Sequence, residues 1–251
     1  MSNETNPVAL VTAAGRGIGA GIARVLARRG WRVAVMSPSE RCEAVADELG
    51  GLAVRGSVLD EADLRRLVDA ALDRWGRIDA AVYNMGHGGG LPKIIDEIHF
   101  SPDRDEPLLD LPDELWHESL DMYLLGVVRL ARLLTPLMVE AGGGSIVAVS
   151  SVNAVEPRPM YPMSALRGAL HVFVKAYADR YARDKVRMNA VMPGFCENVA
   201  LSEDARRRIP IGRPARFEEI GEACHFLASP AASYITGQSL LVDGGINRGV
   251  H

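Results

Sequence analysis

Short runs of β-branched or apolar residues alternate with longer Ala-, Leu- and Arg-rich stretches, almost from one end of the chain to the other. A strand buried on both faces reads as a continuous apolar run, and a helix lying on it carries an apolar stripe of period 3.6. The alternation therefore predicts an α/β protein with a parallel sheet wrapped by helices on both faces. Seven strands are expected, at Val8–Thr12, Arg32–Met36, Leu52–Arg55, Ile78–Tyr83, Ser145–Ser150, Val186–Met192 and Ser239–Val242. Ile18, Ile22, Val25 and Leu26 form the stripe of the first helix, which Gly30 should stop after Arg28 and Arg29.

A chain of 251 residues can bury one large core, and no repeat, low-complexity tract or domain-scale linker interrupts it. One doubly wound domain over 1–251 is expected. Two irregular segments stand out: residues 87–112, with four prolines, and a short lid at 195–209. With 28 basic against 32 acidic side chains the chain lacks the basic excess of a nucleic-acid or anionic-membrane binder. Met1 to Pro7 is polar, and the longest apolar stretch, Leu124 to Val139, contains Arg129 and Arg132, so neither a signal peptide nor a membrane span is expected. Cys42, Cys196 and Cys224 are odd in number and widely spaced, which predicts reduced thiols in the cytoplasm and no metal centre.

The sharpest motif follows the first strand. Thr12-Ala-Ala-Gly15-Arg16-Gly17-Ile18-Gly19 places a glycine-rich turn between a buried strand and a helix, with a second strand beginning within about thirty residues. Gly17 and Gly19 would let backbone amides approach a pyrophosphate at the helix N-terminus, where the helix dipole favours negative charge.

Four further stretches recur in the same order as in a known family. They are Tyr83-Asn84-Met-Gly86, Gly144-Ser-Ile-Val-Ala-Val-Ser-Ser151, Arg187-Met-Asn-Ala-Val-Met-Pro193-Gly194 and Ile235-Thr-Gly-Gln-Ser-Leu-Leu-Val-Asp-Gly-Gly245. Together with the glycine-rich turn they make the chain resemble the short-chain dehydrogenases/reductases along nearly its whole length, with Ala13 where that turn's first glycine usually stands. The resemblance implies a Rossmann-type fold, a nicotinamide cofactor, a small-molecule substrate and a homodimer or homotetramer. It assigns Thr12, Gly15, Arg16, Gly17, Ile18, Gly19, Ser37, Ser57, Val58, Asn84, Gly86, Arg167, Pro193 and Gly194 to the cofactor. NADPH is expected over NADH, because Ser37 replaces the carboxylate that would repel a 2′-phosphate and Arg16 stands where NADP-preferring members often carry a base. Arg16 as a merely solvated turn residue is the plainer alternative, and Glu40 stands close enough to weigh against the phosphate. Ser57 replaces the family's usual adenine-side Asp.

The catalytic pattern departs from the family. Ser151 fits its serine, but four residues after Tyr161 stands Ala165 and not the lysine of Tyr-x-x-x-Lys. Alignment on Arg167-Gly-Ala-Leu170 puts Arg167 at the lysine position and Met163, which cannot donate a proton, at the tyrosine position. Tyr123 replaces the Asn that anchors the family's water relay. Pro162 should open the following helix and leave Tyr161 just outside it. The expected roles are Ser151 orienting the substrate oxygen, Arg167 holding the ribose or developing negative charge, and Tyr161 or His87 supplying the proton. Tyr161 could equally be a rim aromatic and His87 a structural histidine. The expected function is NAD(P)H-dependent reduction of a small hydrophobic carbonyl or enone. Alternatives are an SDR-fold lyase, epimerase or dehalogenase, or a non-catalytic cofactor-binding subunit.

Overall fold

The computed structural model describes residues 6–85, 109, 111–157 and 162–249. Among them are seven strands, β1 (Val8–Val11), β2 (Arg32–Ser37), β3 (Leu52–Arg55), β4 (Ala80–Tyr83), β5 (Gly144–Val149), β6 (Val186–Pro193) and β7 (Ser239–Val242). All pairings are parallel, in the order β3-β2-β1-β4-β5-β6-β7. The winding direction reverses between β1 and β4, and in open sheets of this kind ligands bind outside the carboxyl ends of the strands at such a point. Each predicted strand is present, β3 and β7 with the predicted bounds and the others with one or both ends displaced by one or two residues. β1 stops at Val11 because Thr12 turns its hydroxyl to the Asn84 carbonyl, 2.6 Å away.

Side chains alternate between two helical layers, as the pleat requires. Ala9 and Val11 face α1 (Gly17–Arg28) and the later α8 (Phe217–Ala228), with Ile22, Leu26, Ile220, Cys224 and Leu227 completing that core. The α2 helix (Arg41–Leu49) adds Cys42 and Val45 on the same side. Leu10 faces the opposite layer, formed by α3 (Glu61–Trp75), α5 (Gly126–Glu140) and α6 (Pro162–Tyr181), with Leu64, Leu67, Leu130, Leu134, Leu170 and Val174. Gly30 ends the first helix at a φ of 86°, and α6 begins at Pro162 as predicted. All three cysteines are buried free thiols.

A helical run leads from α4 (Asp113–Leu120) through one wide π-turn, Asp121–Leu125, into α5. By length and composition the run 113–140 could cross a membrane, yet half of its most apolar window is buried inside the fold and Val127, Leu130, Leu134 and Met138 are core. The π-turn has a local cause. The buried Tyr83 hydroxyl donates to the Met122 carbonyl at 2.7 Å and lies against Gly126, where a Cβ would overlap it. Any side chain at position 126 would push the two helices off β4, and π-turns of this sort are frequent at functional sites.

The lid segment 195–209 holds one short helix, α7 (Glu203–Arg207), capped by Ser202. Most of the irregular segment 87–112 lies outside the described residues.

Candidate active site

The glycine-rich turn is clasped to the end of β4. Thr12 donates to the Asn84 carbonyl, the Asn84 amide donates back to the Thr12 hydroxyl at 3.0 Å, and the Asn84 side-chain amide donates to the Ala13 carbonyl at 3.3 Å. These bonds hold Ala13 at a φ of 47°, in the left-handed region where the family uses glycine. Gly17 takes a φ of 58° just inside α1. Gly19, expected at the cofactor, also has a packing reason. A Cβ there would overlap the Ala13 carbonyl and come within 2.7 Å of the Asn84 side chain, so this glycine is required for close packing of helix on turn.

The start of α1 fits an anion. Its N-cap, Arg16, makes no capping bond and its first turn holds no acid, whereas Asp60 caps α3 and Ser202 caps α7. The leading amides of α1 therefore lack side-chain acceptors, and the helix dipole favours negative charge there. Ser37, at the end of β2, is buried and donates to the Ser39 carbonyl at 2.9 Å. Arg41, the first residue of α2, was not singled out from sequence. A Cβ on Gly15 would lie 2.7 Å from the Ser37 hydroxyl and 3.2 Å from the Arg41 Cβ, so Arg41 borders the same turn. A cation in a helix's first turn opposes the dipole, and that was the signal available. Glu40 lies 3.6 Å from Arg55, which is bound more closely by Glu43 at 2.6 Å. Beyond β3, Ser57 accepts from the Leu59 amide and donates its own amide to Asp63, while Val58 is buried.

At the catalytic end, Ser151 is half-buried one residue beyond Ser150 at the end of β5, and its hydroxyl accepts from the Asn153 amide at 3.3 Å. Arg167 does not lie on the helix surface. It is 6% exposed, donates to the Val149 carbonyl at 3.3 Å and stacks its guanidinium 4.5 Å over the Tyr123 ring. Its Nε and the Tyr123 hydroxyl are both buried without a hydrogen-bond partner among the described residues. Burial pushes the Tyr123 phenol up while the charge of Arg167 pulls it back, and burial pushes Arg167 down. Met163 packs with Met122 and Tyr123, so the register of the usual tyrosine is filled by a thioether in an apolar cluster. Ser150 shares a 2.8 Å hydrogen bond with Nε2 of His171, whose pKa is lowered to about 4 by burial and by the nearby Arg167.

Thr12, Asn84 and the glycine-rich turn are thus brought together, as are Arg167 and the end of β5. Pro193 closes β6, and the Gly194 amide donates to the Val242 carbonyl at 3.1 Å. Gly86, His87 and Tyr161 lie outside the described residues. From the sequence Tyr123 reads only as the replacement of the relay Asn, and His171 carries no signal of its own. Both acquire their neighbours through tertiary packing. Among the described residues no group of three His, Cys, Asp or Glu side chains gathers to hold a metal ion.

Comparison with known proteins agrees with this architecture. A family profile described as enoyl-(acyl carrier protein) reductase matches residues 12–247. The cis-4-hydroxycyclohexanecarboxylate dehydrogenase of Sinomonas cyclohexanicum is 37% identical over 95% of each chain. The 3-oxoacyl-(acyl-carrier-protein) reductase FabG of Escherichia coli is 32% identical over 97% of this chain and 98% of that one. The crystal structure of a Brucella melitensis 3-ketoacyl-(acyl-carrier-protein) reductase complexed with NADH superposes with a TM-score of 0.82, at 32% identity over 96% and 98% of the two chains. With its parallel seven-stranded sheet, its glycine-rich turn and these relatives, the chain belongs to the short-chain dehydrogenase/reductase family of oxidoreductases.

Proposed function

We propose that this protein is an NADP(H)-dependent oxidoreductase that interconverts a carbonyl and an alcohol on a small hydrophobic molecule, through a site rebuilt around Arg167. The observation that carries the reading is the uncapped start of α1 flanked by two arginines, Arg16 and Arg41, with the uncharged Ser37 at the end of β2. In this reading the α1 amides receive the pyrophosphate and the two arginines receive the 2′-phosphate. When bound, the cofactor supplies or accepts the hydride.

The chain's own residues do the rest. Ser151 orients the substrate oxygen. Arg167 supplies positive charge beside the ribose or the developing negative charge, but an arginine keeps its proton and cannot relay one as lysine does. The proton then comes from Tyr161 or His87. The named relatives that act on a cyclic alcohol and on 3-oxoacyl groups support carbonyl–alcohol chemistry. The reading also takes the protein as a cytoplasmic homodimer or homotetramer, joined across an apolar groove of about 650 Å³ between α5 and α6.

Titration with NADPH and NADH, followed by a panel of carbonyl substrates read by NADPH absorbance, tests the reading. NADPH should bind more tightly, and Ser151→Ala should lower turnover about a hundredfold with cofactor affinity unchanged. Absence of nucleotide binding overturns it. Binding without turnover across the panel favours the non-catalytic alternative.

A further inference from the structure

Three adjacent strands deliver their following segments to one cavity. β5, β6 and β7 lie side by side, and beyond their carboxyl ends come Glu156, then Arg207, Arg208 and Pro210, then Ile246 and Arg248. Together these residues line a cavity of about 290 Å³. It stands on the ligand-binding side of the sheet, and its Glu156 wall belongs to the segment that begins at Ser151.

The cavity is cationic, and two of its charges are unspent. Arg207 shares its charge with Glu203 and Asp204 of its own helix, at 3.5 and 3.8 Å. Glu156 accepts from the Asn247 side chain at 3.5 Å. Arg208 and Arg248 make no ion pair among the described residues. A surface arginine of a stability network would have an acid beside it, as Arg24 has Glu48 and Arg213 has Glu219.

The backbone on which these two exposed arginines stand is fixed. Ile209, next to Arg208, and Ile246, two residues before Arg248, are buried in one cluster with Ala205. Asp243 receives the Gly245 and Asn247 amides, both at 2.9 Å, and the Ile211 amide donates to the Gly244 carbonyl. The backbones that carry Arg208 and Arg248 are thus tied together across buried isoleucines. Arg208 and Arg248 are exposed and line one cavity with Pro210 and Ile246, and two guanidinium forks beside apolar side chains suit a planar carboxylate on a hydrophobic body.

We propose that Arg208 and Arg248 bind the anionic end of the substrate, making this enzyme selective for carbonyl compounds or alcohols that carry a carboxylate remote from the reacting carbon. The proposal rests on the oxidoreductase reading above and adds the substrate class to it.

The test uses the full chain with NADPH and two probes that differ only in charge, 4-oxocyclohexanecarboxylate and its methyl ester. The acid should be reduced with a kcat/KM at least tenfold above that of the ester. The double variant Arg208→Gln/Arg248→Gln should lose at least tenfold in kcat/KM on the acid, through KM, with its rate on the ester and its NADPH affinity unchanged. Equal use of acid and ester, or an equal loss on both in the double variant, overturns the proposal. Should neither probe be turned over, calorimetric titration of the acid into the NADP⁺-loaded protein decides: binding that the double variant loses supports the site, and no binding overturns it. Loss of NADPH binding by the wild-type chain would instead sink the oxidoreductase reading itself.

Discussion

The guanidinium carbon of Arg167 stands 4.5 Å above the ring centre of Tyr123, and each side chain buries a polar atom that has no partner. A cation over an aromatic face is attracted by the ring quadrupole, so the contact offsets part of the cost of burying Arg167. The hydroxyl of Tyr123 makes no hydrogen bond among the described residues. Tyr123→Phe should therefore leave stability unchanged or raise it by up to about 1 kcal/mol. Arg167→Met keeps the length of the stem and removes a buried charge, which often costs little stability. It should nevertheless weaken NADPH binding at least tenfold. Thermal unfolding with nucleotide titration checks both, and a large loss of stability in Arg167→Met would make the arginine structural.

Arg16 stands in the glycine-rich turn and Arg41 borders it from the start of α2, with the uncharged Ser37 at the end of β2. A charge-assisted hydrogen bond contributes about 1.5–3 kcal/mol. Replacing either arginine by Ala should weaken NADPH by roughly ten- to a hundredfold and leave NADH within about twofold. Equal losses for both nucleotides would move the phosphate site elsewhere.

His171 should make stability fall on the acid side of neutrality. Its folded pKa of about 4 lies below the ordinary value of 6.5, because burial and Arg167 disfavour the imidazolium. Between these two values the unfolded chain binds the extra proton, so stability is fully present above pH 6.5 and is lost as pH falls toward 4. The shift corresponds to about 3 kcal/mol, which solvent screening of the partly exposed ring reduces to the order of 2 kcal/mol. Urea unfolding at several pH values should show it, and His171→Gln should flatten that limb. An unchanged slope in the variant would assign the acid sensitivity to other groups.

The groove between α5 and α6 presents Val128, Val139, Phe173 and Tyr181 around Arg132 and Glu140. If this face joins copies of the chain, light scattering should give two or four times the mass of one chain, and Val139→Glu should shift the protein toward a single chain. A wild-type mass equal to one chain at micromolar concentration would remove the oligomer.

The chain's local chemistry was enough to place the strands, the start of α6 at Pro162 and the glycine-rich turn. Each rests on neighbours in sequence: an apolar run between turn residues, a proline's fixed φ, a glycine at a left-handed position. The family's order of motifs carried the reading further, to the oxidoreductase class. Contacts between residues far apart in sequence were decided only by the tertiary structure. That Gly19 leaves no room for a side chain follows from Ala13 and Asn84 closing over it, contacts that lie outside its own stretch of sequence. Tyr123 reads as a broken relay until the Tyr83 hydroxyl opens the π-turn and seats it beneath Arg167. Arg208 and Arg248 are forty residues apart in sequence and come to line one cavity as buried Ile209 and Ile246 pack together. Periodicity reports which face of an element is apolar. Which polar side chains lose their water together depends on how the elements stack, and that follows from the packing of the whole core.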